Sequence, residues 1–205
     1  MLLLTSNGLS SPPLLSRAGA MLEGCGGRAA IVTTASVGYK ERDRHIPRLM
    51  EELRACGLAH VDFFDFDCQS AQDLLRYGAV LLNGGNPFYL LSSMRRAGCA
   101  PVMEELARDR VLIGVSAGSM VLGPSLAMAQ LYTPEMNAEV GLADLSGLCL
   151  TDALVLPHYT KFLARFDRFE ERAADYERQT GARILRLDDG RAVVCHPLTD
   201  ETEIV

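Results

Sequence analysis

Short apolar runs alternate with segments of helical period along most of this chain, and that alternation admits few folds. "MLLLT", "AAIVTTA", "AVLLNGG" and "VLIGV" are of strand length and apolar on both faces. Such runs belong to strands buried on both sides, as in a parallel sheet covered by helices. Between them lie helical segments: one ending near "GCGG", the charged "KERDRHIPRLMEELRACG" with Pro47 at an early turn or kink, a short one near "SAQDLLRYG", and the pair "NPFYLLSSMRRAG" and "APVMEELARDR". The order predicts an α/β fold with a largely parallel sheet. "HVDFFDFD" and "CLTDALVLPH" read as further strands and "FLARFDRFEERAADYERQTG" as one helix with a glycine stop. "ARILRLDDGRAVVCHP" reads as a terminal hairpin turning at Asp189-Gly190, because Asp-Gly between apolar runs is a strong hairpin signal. Residues 126–147 are less regular. No repeat or linker divides the chain, so residues 1–205 are expected to form one domain.

Composition narrows the function classes. The 205 residues are 48% hydrophobic and 22% charged, with a formal net charge of −6. No basic run or basic-aromatic stripe is present, which argues against nucleic acid as a partner. No apolar stretch reaches the roughly 18 residues of a membrane span, and "MLLLTSNGLSSPPLL" lacks the charged start of a signal peptide. The six cysteines have no CxxC spacing and are expected to be buried free thiols in a reducing cytoplasm, without disulfides or metal.

The strand "VLIGV" runs into "SAGSM", so Ser116 stands between Gly114 and Gly118 in a G-x-S-x-G pattern. That pattern suits a strained strand-to-helix elbow. The serine projects from its tip, and the following N–H points where an oxyanion would form. A serine nucleophile needs a base, and four histidines are available. His45 lies in a charged helix, His60 opens a strand, and His196 ends the terminal apolar run. His158 ends a strand after Pro157, where ligand sites of open parallel sheets lie. In "LLNGGNPFYLL", Gly84 and Gly85 leave the backbone free to approach a ligand. A phosphate site would use the same turn, but neither G-x-G-x-x-G nor a P-loop lysine accompanies it.

"NGGNPFYLL", "IGVSAGSMVLGPSLA" and "LPHYTKF", in this order and spacing, resemble the dipeptidase E family of serine peptidases, which includes cyanophycinases. "VTTAS" near residue 32 is similar to that family's second-strand ending, and the resemblance runs to about residue 175. It implies a three-layer α/β/α sandwich like that of class I glutamine amidotransferases, with serine in place of their cysteine. It further implies Ser116 as nucleophile, His158 as base, and the amides of Gly85 and Ala117 as oxyanion donors. The family's acid is expected between elbow and histidine, which selects Glu135, with Glu139 and Asp144 as fallbacks. Asp152 is too far from His158 along an extended strand. Asn86 is expected to touch substrate, and "ARFDR" matches the region where aspartate-preferring members place an arginine, which selects Arg165. The implied partner is a short peptide, with no cofactor or metal; a homodimer is left open. An esterase or amidase of the α/β-hydrolase kind, or a silent ligand-binding member of the fold, are the competing readings.

Overall fold

The computed structural model describes residues 1–196 and 202–205. A seven-stranded sheet runs in the order β3-β2-β4-β5-β1-β8-β9. Its strands are β1 (Leu2–Thr5), β2 (Arg28–Val32), β3 (His60–Phe64), β4 (Ala79–Leu82), β5 (Val111–Val115), β8 (Ala192–Cys195) and β9 (Thr202–Ile204). The first five are mutually parallel, and β8 and β9 add an antiparallel edge beside β1. A separate two-stranded parallel sheet joins β6 (Leu154–Leu156) to β7 (Ile184–Arg186).

Side-chain alternation divides the core into two faces. Leu2 and Leu4 of β1, Val80 and Leu82 of β4, and Leu112 of β5 pack with α3 (Pro87–Arg96), α4 (Ala100–Asp109) and α5 (Ala117–Leu122). Leu3, Leu81 and Ile113 pack on the opposite face with α1 (Pro12–Leu22) and α2 (Ile46–Ala55). The result is an α/β/α arrangement. Proline sits in the first turn of α1, α2, α3 and α4, where its missing N–H costs no helical hydrogen bond. Pro47 therefore starts α2 and does not kink it.

The irregular segment holds two short helices, α6 (Ala127–Tyr132) and α7 (Pro134–Ala138). Two expectations fail after residue 158. The single long helix is two, α8 (Tyr159–Arg165) and α9 (Phe169–Thr180), broken where Arg168 takes φ +48. Phe166 and Phe169 pack against Tyr132 at this break, with ring centroids 5.9 and 4.2 Å away. The terminal hairpin is also absent. β7 pairs with β6 and β8 pairs with β1, so the two arms lie in different sheets.

Candidate active site

The parallel strands end at one edge of the sheet, and the first residues beyond them form the site. Ser6 follows β1, Asn83 follows β4 and Ser116 follows β5. Antiparallel β8 pairs its first residue, Ala192, with Thr5, so the chain just before it reaches the same edge.

Ser116 takes φ +50 and ψ −107, a conformation that costs a side-chain-bearing residue about 1–3 kcal/mol. The packing around it enforces that turn. A Cβ at Gly114 would lie 2.6 Å from backbone atoms of Ser119, and one at Gly118 would lie 2.1 Å from the Leu82 carbonyl oxygen. Both glycines of the pattern are thus required by close approach. Thr5 ties the elbow to β1: its carbonyl accepts from Ser116 N–H at 3.0 Å and from Ser119 Oγ at 2.8 Å.

His158 Nε2 lies 3.0 Å from Ser116 Oγ, and its Nδ1 lies 2.7 Å from Asp189 Oδ1. Asp189 also accepts from Ser6 Oγ at 2.8 Å and pairs with the Lys161 ammonium. Burial pushes the Asp189 carboxyl up, but hydrogen bonds from Lys161, Ser6 and His158 outweigh it and hold the pKa at about 2. An ionised carboxylate only accepts, so Nδ1 must carry the proton when the imidazole is neutral. Nε2 is then an acceptor for the Ser116 hydroxyl. The backbone N–H of His158 donates to Ser6 Oγ at 2.8 Å, which fixes the residue in a left-handed conformation, φ +57.

The carboxylate that lies beside His158 Nδ1 is therefore that of Asp189, whereas Glu135, expected there, lies elsewhere. Glu135 lies in the first turn of α7 and is exposed, as are Glu139 and Asp144; Asp144 pairs with Arg95 at 3.0 Å. Among the described residues no hydrogen bond joins any of the three to His158. The reason lies in the pairing of β6 with β7. Leu187 N–H donates to the Leu156 carbonyl and Tyr159 N–H to that of Leu187, which lays residues 187–189 beside 156–159. Ser6 and Lys161 also escaped the sequence reading. Ser6 carried one usable signal, its place just after a strand run.

Gly85 and Ala117 border the same point. Gly85 takes φ +139, and a Cβ there would lie 2.1 Å from the Ala35 carbonyl oxygen. Among the described residues neither its N–H nor that of Ala117, first in α5, donates to a backbone carbonyl outside the regular elements. Asn86, expected to touch substrate, has its side chain engaged within the fold. Its side-chain oxygen caps α3 by accepting from Phe88 and Tyr89 N–H, and Nδ2 donates to the Met136 carbonyl at 2.9 Å. Arg165 is exposed, with its guanidinium 5.2 Å from the Phe166 ring centroid, and lines neither cleft beside Ser116.

Those two clefts differ in character. One, about 590 Å³, is lined by Asn83, Arg42, Asp43, Arg44, His45 and Arg48 among others. The other, about 220 Å³, is lined by Met120, Met128, Tyr132, Met136 and Phe162. Ser116, His158 and Gly85 border both. Among the described residues no carboxylate pairs with Arg42 or Arg44, whereas Arg48 pairs with Glu52. No group of three or more His, Cys, Asp or Glu among the described residues could hold a metal, and no helix there is long and apolar enough to cross a membrane.

The chain is similar to curated relatives over part of their length. It is 30% identical over 109 residues to an uncharacterized peptidase of Pasteurella multocida strain Pm70, covering 51% of this chain and 52% of that one. It is 36% identical over 81 residues to one of Listeria monocytogenes, covering 39% of each. The matched stretches thus span about half the length of these relatives or less. A crystal structure of a Listeria monocytogenes EGD-e protein described as a candidate peptidase E has TM-score 0.76 and 25% identity, covering 100% of this chain and 96% of that one. A peptidase from an acI-B1 Actinobacterium has TM-score 0.70 at 20% identity, over 100% of this chain and 86% of its own, and shares the fold. The model of peptidase family S51 matches residues 2–201. The dipeptidase E resemblance read from the motifs agrees with that match: this chain belongs to peptidase family S51.

Proposed function

We propose that the protein is a serine peptidase that hydrolyses short peptides through an acyl-enzyme on Ser116. The observation that carries this reading is the continuous chain of hydrogen bonds from Ser116 Oγ through His158 to Asp189. His158 Nε2 takes the hydroxyl proton as Oγ attacks the scissile carbonyl carbon. The resulting oxyanion is held by the amides of Gly85 and Ala117. His158 then returns the proton to the leaving nitrogen, the peptide C–N bond breaks, and an ester remains on Ser116. Water, deprotonated by the same imidazole, hydrolyses that ester and regenerates the hydroxyl. Asp189 stays ionised and orients the ring throughout.

The clefts suggest what is cut. The guanidinium groups of Arg42 and Arg44 on the polar side, with which no carboxylate among the described residues pairs, support a preference for an acidic residue, since arginine binds carboxylate through paired hydrogen bonds. The apolar side, with three methionines that adapt to varied shapes, supports an apolar residue across the scissile bond. The apolar cleft is small, about 220 Å³, which favours dipeptides and other short substrates. Six free thiols suit the reducing cytoplasm as the site of action.

The test uses a dipeptide library and a fluorophosphonate on wild type and Ser116→Ala. Wild type should be labelled and turn over; the folded variant should lose labelling and about a thousandfold or more in turnover. Cleavage retained by the variant would remove the mechanism. Labelling of wild type without turnover of any peptide would reject the peptidase reading.

A further inference from the structure

Asn83 is the first residue past β4, beside the elbow strand, with Leu82 in register with Gly114. Its N–H donates to the Val32 carbonyl at 3.0 Å, so its backbone belongs to the sheet edge. The residue is only 3% exposed, yet lines the polar cleft together with Ser116 and His158. Its Nδ2 is buried and has no hydrogen-bond partner among the described residues. Leaving a buried amide unpaired costs about 1–3 kcal/mol, and an apolar side chain of similar shape would avoid that cost. The fold therefore sets a buried amide with no protein partner among the described residues on the same cleft as Ser116.

We propose that Asn83 is a substrate-positioning residue whose carboxamide, with its Nδ2 unpartnered among the described residues, hydrogen-bonds the main-chain peptide unit next to the scissile bond from the wall of the polar cleft. A carboxamide and a peptide group each present a donor and an acceptor in one plane, so they match in chemistry and shape. Being neutral, Asn83 is indifferent to the charge of the substrate side chain, which the cleft arginines meet instead. This inference rests on the peptidase reading, because it needs a peptide in the cleft. The contact exists equally before and during attack, so its loss weakens binding and spares the chemical step.

The experiment compares wild type with Asn83→Leu, using a cleaved dipeptide, a fluorophosphonate that carries no peptide, and thermal melting. KM should rise about tenfold, as expected for one or two hydrogen bonds. The kcat should stay within about threefold, the labelling rate should be unchanged, and Tm should be equal or higher because an unpaired amide is gone. An unchanged KM overturns the proposal. A fall in Tm with slower labelling also overturns it, since Asn83 would then support the Gly84–Gly85 turn. If the leucine variant does not fold, Asn83→Ala decides the same comparison. Wild type that neither labels nor cleaves would defeat the peptidase reading itself, whereas active wild type with an indifferent variant defeats this inference alone.

Discussion

Replacing Asp189 by asparagine changes one oxygen to a nitrogen, an exchange that the proposed mechanism makes costly through the surrounding contacts. In the native chain Oδ1 faces His158 Nδ1 and Ser6 Oγ, while Oδ2 faces the Lys161 ammonium. An asparagine that keeps its oxygen toward His158 sets its NH₂ against the ammonium, donor against donor. Turned the other way, the oxygen accepts from Lys161 and the NH₂ points at Nδ1. That nitrogen must then accept, which moves the imidazole proton to Nε2. Ser116 Oγ, 3.0 Å away, would face an N–H and not a base. Forcing the wrong tautomer in a serine triad costs about 10⁴ in kcat, or about 5.5 kcal/mol at 1.4 per decade. Stability should fall by about 1–3 kcal/mol at neutral pH, because asparagine lacks the charge that Lys161, Ser6 and His158 stabilise in Asp189. The assay is release of the free amino acid by wild type, Asp189→Asn and Glu135→Gln, with Tm measured on each. Activity of Asp189→Asn within tenfold of wild type, or a collapse in Glu135→Gln, would refute the assignment.

Gly118→Ala should destabilise the fold by about 1–3 kcal/mol, because the added carbon would meet a backbone carbonyl 2.1 Å away; an unchanged Tm would show that the elbow relaxes freely. Asp189 titrates near 2 in the folded chain and near 4 when unfolded, so its stabilisation is complete above about pH 4 and lost as pH falls toward 2. Wild-type Tm should accordingly fall more steeply than that of Asp189→Asn between about pH 4 and 2, and parallel slopes would contradict this. Arg44→Ala should lower the kcat/KM ratio for Asp-Leu over Ala-Leu by about tenfold, with Arg165→Ala unchanged; the opposite ranking would return acid recognition to α8.

The central strands β1, β2, β4 and β5 were legible because they are apolar runs that suit a buried parallel ladder, whereas the exposed β9 was not. Ser116 and His158 were legible because each sits just past such a run. Asp189 was hidden by the same logic. "LRLDDGRAVV" carries a strong local signal for a hairpin, and a hairpin would have kept Asp189 at its tip. Which strand an arm pairs with is decided by distant partners, β6 for one and β1 for the other. The break between α8 and α9 was invisible for a related reason. Nothing in "ARFDRFEER" opposes a helix, and packing of Phe166 and Phe169 on Tyr132 accompanies the break. Glu135 fell in the less regular stretch between elbow and histidine, which holds a short helix opened by Pro134.

The scattering of the site along the chain has a consequence for the protein's own synthesis. The contacts of Ser6 with His158 and Asp189 close loops of 152 and 183 residues. Because chains are made from the amino end, Ser116 leaves the ribosome well before Asp189, and β8 is needed to bring that carboxylate to the sheet edge. Until then the imidazole has no anion to orient it and the serine no organised base. On the proposed mechanism, a nascent chain that already displays its nucleophile is thus idle among its unfinished neighbours, and becomes competent only when nearly all of it has folded.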